Sequence, residues 1–182
     1  MRAAIVATLG CALTVAVGAD PLPAGRVSLV VGIKSGTGSL SSSIGNGYGF
    51  GFEASYAPMS RNQRVGWGVS WATTWSRYGA GSARIADEMS ILEMDAGVRL
   101  RVALGVKTRQ VLFLGGGGAL VRSNEPIFVG DDRSRIGPWG SAGIEGRAPI
   151  ANDLLVGVAV RYGYIRDGDG VLSVMISAGV GK

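Results

Sequence analysis

A chain of 182 residues accommodates one domain of ordinary size. Charged residues make up 17% of it, while 47% is hydrophobic and 31 positions are glycine, a balance that suits strands and turns rather than helices. The formal charge of +5 comes mostly from arginines scattered over turns, loops and one strand face, so nucleic acid finds no dense basic run to bind.

Met1-Arg2 gives a short positive start, Ala3 to Val17 is apolar, and Val17-Gly18-Ala19 supplies the small residues a signal peptidase reads. Residues 1–19 are therefore expected to be a secretory signal peptide, and 20–182 the exported domain. The apolar run is shorter than the ~20 residues of a transmembrane helix. Reading Leu9-Gly10-Cys11 as a lipobox would leave a very short apolar core. Cys11 is the sole cysteine, so the exported domain is expected to hold neither a disulfide nor a thiolate metal site.

From there the chain alternates with a period of two, which puts successive residues on opposite faces of a strand. Gly25 to Lys34 sets Val27, Leu29, Val31 and Ile33 on one face. After a Gly/Ser-rich loop over 35–46, Gly47 to Ala57 sets Tyr48, Phe50, Phe52, Ala54 and Tyr56 against Gly47, Gly49, Gly51, Glu53 and Ser55. A short turn leads to Arg64–Ser76, where Trp67, Trp71 and Trp75 share a face with Val65 and Val69. The loop 77–88 follows, and then Ser90–Leu104 places Leu92, Met94, Val98 and Leu100 opposite Glu93, Asp95, Arg99 and Arg101. The strand 110–122 is uncharged on both faces until Arg122, which leaves its facing open. Beyond the polar loop 123–135, Ile136–Arg147 carries Glu145 and Arg147 together. Leu154–Ile165 aligns Val156, Val158, Val160, Tyr162 and Tyr164 opposite Arg161, and the last strand aligns Leu172, Val174, Ile176, Ala178 and Val180.

Eight strands joined by alternating long and short connections predict an all-β fold, an antiparallel up-and-down transmembrane barrel with its short turns and both termini on the periplasmic side. The strands exceed the 5–6 residues usual in soluble proteins and reach the ~9–11 needed to cross a bilayer. A soluble lipocalin-like carrier would turn the apolar face inward. Bulk decides between the two, because an eight-stranded interior holds little more than small side chains and a few charges. The lipid bilayer is thus the expected partner of the apolar face, with Tyr48, Tyr56, Trp67, Trp75, Tyr162 and Tyr164 as interface aromatics. An extracellular partner would meet the loops 35–46, 77–88 and 123–135.

The enclosed face is expected to hold a charge network of Glu53, Glu93, Asp95 and Glu145 with Arg99, Arg101, Arg122, Arg147 and Arg161. Near-balance suggests an ion-paired plug; a narrow small-solute pore is the alternative. By strand direction Glu93 and Asp95 sit in the loop-side half with Arg122 and Arg161, and Glu53 and Glu145 lie lower with Arg99 and Arg101. Gly115 to Gly118 lacks the Gly-Lys-Ser/Thr ending of a phosphate loop and reads as a curved strand. Asp167-Gly168-Asp169-Gly170 lacks the closing glutamate of a calcium loop and reads as a turn. No metal or cofactor is expected. The chain has no histidine, so its hydroxyls have no imidazole base, and no enzyme activity is expected.

Segments such as Gly47-Tyr-Gly-Phe-Gly-Phe-Glu-Ala-Ser-Tyr56, Ala142-Gly-Ile-Glu-Gly-Arg147 and Ser177-Ala-Gly-Val-Gly181 carry a further indication. Over roughly residues 25–182 the chain resembles the small outer-membrane β-barrel family that includes the OmpA transmembrane domain, OmpX and opacity-type proteins. The resemblance implies a Gram-negative outer membrane and a structural or surface-interaction role. Family members usually close the last strand on an aromatic, whereas this sequence closes on Gly181-Lys182. The barrel enzymes of such membranes (lipid A deacylase, lipid A palmitoyltransferase, the outer-membrane phospholipase and the omptin proteases) depend on an active-site histidine, which this sequence lacks.

Overall fold

The computed structural model describes residues 23–38, 40–60, 63–80, 88–104, 110–124, 133–147, 154–166 and 169–181. The expected signal peptide, Lys182, Asp167-Gly168 and the middle stretches of the loops 77–88 and 123–135 lie outside them. The strands are β1 (Gly25–Gly36), β2 (Ile44–Tyr56), β3 (Val65–Ala80), β4 (Glu88–Ala103), β5 (Gln110–Ser123), β6 (Ser134–Arg147), β7 (Leu154–Arg166) and β8 (Asp169–Gly181). Each pairs antiparallel with the next, and β1 pairs with β8 from Arg26↔Gly181 to Gly36↔Val171, closing the barrel. Closure leaves no strand edge with unpaired backbone groups.

Period-two alternation determines which side chains go inside. The enclosed set in β1 is Arg26, Ser28, Val30 and Lys34, while Val27, Leu29, Val31 and Ile33 are exposed. In β2, Phe50, Phe52 and Tyr56 are exposed. Trp67 in β3 is 75% exposed and Trp71 47%. This is the inverse of a lipocalin-like carrier, whose apolar face would line the interior.

The interior nevertheless holds three aromatics that bulk alone would exclude. Tyr78 and Phe113 are buried and Trp139 is partly buried against the core. Each fits because a neighbouring strand offers glycine. A Cβ on Gly47 would come 2.7 Å from Tyr78 Cδ1, one on Gly115 3.4 Å from Trp139 Cη2, and one on Gly143 2.7 Å from Phe113 Cζ. Gly143 also faces backbone, since a Cβ there would lie 2.8 Å from the Ala159 Cα. Gly143→Leu is expected to lower the unfolding free energy of detergent-refolded protein by roughly 1–3 kcal/mol through overpacking. A urea titration followed by tryptophan fluorescence measures it.

The strands extend further than polarity suggests. β3 and β4 stay paired through Tyr78↔Met89 and Gly79↔Glu88, beyond the apolar stretch. Backbone pairing does not require apolar side chains, so the sequence pattern ends before the ladder does. The expected loop 35–46 contains a short helical turn, α1 (Leu40–Ser43), and hands over to β2 at Ile44. Gly38, at φ 61°, makes the reversal before α1, and the Ser41 hydroxyl donates to its carbonyl at 2.7 Å.

Candidate functional site

The enclosed charges form two layers. In the loop-side layer, Lys34 Nζ donates to Glu93 Oε2 at 2.8 Å and to Thr74 Oγ1 at 3.2 Å. Thr74 passes the bond on, donating to Glu93 Oε2 at 3.1 Å. Arg161 grips both oxygens of Asp95 in a two-point pair and lies 3.7 Å from Glu93 Oε2. Its guanidinium also stacks over Trp139, 5.0 Å from the ring centroid. Two cations thus face two carboxylates.

In the turn-side layer, Glu145 is the hub. Arg26 and Arg99 both bond its Oε2, Arg99 at 2.6 Å, and Arg101 Nε lies 2.8 Å from Oε1 as an ion pair without hydrogen-bond alignment. Arg99 also bonds Glu53 and sits over Phe113, 3.8 Å from the ring centroid. Arg26 donates to Ser177 Oγ at 2.8 Å. Arg101 donates to the carbonyls of Pro23 at 2.8 Å and Ala57 at 3.1 Å, tying the entering chain and the β2 end to the interior. Every one of these ion pairs joins strands that are not neighbours in the sheet, so each spans the lumen rather than running along the wall.

Between the layers lies a cavity of about 50 Å³, lined by Thr74, Glu53, Arg99, Asp95 and Ser141 together with Val30, Phe113 and Met175. That is room for a few waters, each needing roughly 10–15 Å³ of this measure. Apolar clusters lie beyond the layers at both ends. Leu40 from α1, Ile44, Tyr78, Met89, Ile91 and Val121 pack together at the loop end. Val111 and Leu155 pack against Met59 at the turn end.

No protein-family model matches the chain, and no curated protein matches it by sequence. Solved structures do. Neisserial surface protein A superposes with a TM-score of 0.55 at 19% identity, covering 86% of this chain and 95% of that one. The attachment invasion locus protein Ail of Yersinia pestis gives 0.58 at 15% identity, covering 86% and 96%. OprG from Pseudomonas aeruginosa gives 0.57 at 12% identity, covering 88% and 97%. The chain has the fold of the small eight-stranded outer-membrane β-barrels.

In this outer-membrane-type barrel the structure brings Glu53, Glu93, Asp95, Arg99, Arg101, Glu145 and Arg161 together inside. Arg147 lies half-buried on the same inward set at the turn end, where it too is engaged. Arg122 does not join them. Val111, Phe113, Ala119 and Val121 face inward, which puts Arg122 on the outer surface with Leu114 and Leu120. It stands one residue from the end of β5, where a long side chain reaches polar surroundings without entering the lumen. Arg64 is exposed ahead of β3.

Two enclosed cations stand outside the expected network. Lys34 alternates onto the polar face yet is not counted among the paired charges, and Arg26 sits at the strand start. Both share parity with Ser28, the signal that assigns them inward. On the outer surface, Tyr48, Tyr56, Trp67 and Tyr162 are exposed and Trp75 and Tyr164 are half-exposed. Trp75 packs on Phe50 with ring centroids 5.2 Å apart.

Proposed function

We propose that this chain is a Gram-negative outer-membrane protein whose barrel anchors it in lipid and whose loops form a surface for interaction, with a plugged lumen. The observation that carries the reading is the layering of the interior. Among the described residues, two ion-paired layers flank a cavity of about 50 Å³, and an apolar cluster lies beyond each layer. A hydrated ion would have to part buried charge pairs and cross apolar packing at both ends, each step costly without water. Export by the signal peptide 1–19 and a periplasmic position for both termini complete the proposal.

The absence of histidine favours a non-catalytic role on a fold whose enzymes use that residue as a base. Small barrels of this fold include an attachment protein, Ail, which supports the surface-interaction reading. Single-channel recording in planar bilayers tests the plug. Wild type, Arg99→Ala and Glu53→Ala are all expected to show negligible conductance, because either variant leaves both apolar clusters in place. Steady, solute-selective openings in wild type would replace the plug with the narrow pore.

A further inference from the structure

The chain ahead of β1 turns into the mouth of the barrel at the turn end. Arg101 Nη1 donates to the Pro23 carbonyl at 2.8 Å, and Ala57 N donates to the Ala24 carbonyl at 2.8 Å. Gly181, the last residue of β8, shares the inward parity of the buried Ser173 and Ser177. A Cβ on Gly181 would lie 2.3 Å from Pro23 Cγ and 2.9 Å from Leu155 Cδ1. The Pro23 ring therefore sits on the inner side of the wall, beside Leu155 of the turn-end cluster, in space that a side chain at 181 would fill.

The arginine that holds Pro23 is itself fixed from behind. Arg101 is 1% exposed, its Nε lies 2.8 Å from Glu145 Oε1, and its Nη1 also donates to the Ala57 carbonyl at 3.1 Å. Its Nη2 has no hydrogen-bond acceptor among the described residues. A buried guanidinium N–H without an acceptor costs free energy that a carboxylate would recover. Asp20-Pro21-Leu22 runs directly into Pro23, and three residues span at most about 11 Å, so the Asp20 carboxylate is within reach of Arg101. Two prolines in these four residues restrict the backbone to extended conformations and lower the entropy lost on docking.

We propose that residues 20–22, the start of the exported chain, cross the turn-side mouth as its stopper, with the Asp20 carboxylate accepting from Arg101 Nη2 and Pro23 as the wedge. The proposal rests on the plugged-lumen reading above and on cleavage after Ala19, and adds the element that shuts the turn end. Arg101 is then a positioning residue, holding the buried Glu145 on one side and the chain's own N-terminal segment on the other.

Thiol accessibility tests it, because Cys11 is the sole cysteine and lies in the expected signal peptide. Val111→Cys places one reporter in the turn-end cluster beside Leu155. The rate at which a water-soluble methanethiosulfonate modifies it is measured on exported, detergent-solubilised barrel that shows heat-modifiable migration. Deleting residues 20–22 is expected to raise that rate roughly tenfold, and D20N to raise it by a smaller factor. Neither change touches a strand, so both variants are expected to fold. Equal rates with and without residues 20–22, or a D20N rate no different from that of the parent, would overturn the proposal. A parent rate equal to that of urea-unfolded protein would instead overturn the plugged-lumen reading beneath it. An intact mass placing the N-terminus elsewhere than Asp20 would overturn the cleavage reading.

Discussion

Glu145→Gln is expected to cost the folded barrel about 3–5 kcal/mol, the range for removing one partner of a buried ion pair. Glu145 is 1% exposed and is approached by Arg26, Arg99 and Arg101. The variant leaves those three guanidiniums with Glu53 as the remaining carboxylate of the layer. Glutamine keeps the shape, so the loss reads charge rather than a cavity. Glu53→Gln is expected to cost less, because its side chain is 19% exposed and water can stand in for the missing charge. Urea midpoints of refolded protein, with tryptophan fluorescence and heat-modifiable migration as paired readouts, rank the two. Removing a cation as well, in E145Q/R101M, is expected to recover part of the loss. A double variant no better than E145Q would show that the three arginines are not repelling one another.

Val31→Arg is expected to destabilise the barrel in lipid by roughly 2–4 kcal/mol, the cost of a cation facing the bilayer midplane. Val31 lies near the middle of β1 and is 53% exposed on the outer surface. Val180→Arg, near the end of β8, is expected to cost about 0–1 kcal/mol, since its guanidinium can reach the interface. The contrast is decisive because a water-facing barrel would accept either arginine with little change. Unfolding titrations from lipid vesicles, run side by side on the two variants, measure it. Equal stability would remove lipid from the outer surface and with it the membrane reading.

The architecture was legible because alternation is strict where one face must exclude charge. Phe50 and Phe52 against Glu53, and Leu92 and Met94 against Glu93 and Asp95, assign inside and outside from the chain alone. The same rule fails in β5, where four consecutive glycines separate the informative residues and both faces are uncharged up to Arg122. Only register with Leu92 and Ser134 reveals that Arg122 points outward. The inward positions of Phe113 and Trp139 were hidden for a related reason. Each needs a glycine on a neighbouring strand, Gly143 and Gly115, and that complementarity exists only once the strands are aligned. α1 was invisible because four residues in a Ser/Gly-rich stretch carry no helical period.

The lumen-spanning ion pairs bear on how the cylinder is assembled. Arg26, on the first strand, meets its carboxylate on the sixth and its hydroxyl on the eighth, and Lys34 meets its carboxylate on the fourth. A sheet still open and growing strand by strand cannot bring these groups within reach, so it gains none of their attraction and leaves their charges hydrated. For these pairs the electrostatic reward arrives late, once the sheet has curled far enough to bring the first strand over the fourth and the sixth. Half-built sheets thereby lack these cross-lumen pairs, and curling into a cylinder is what supplies them.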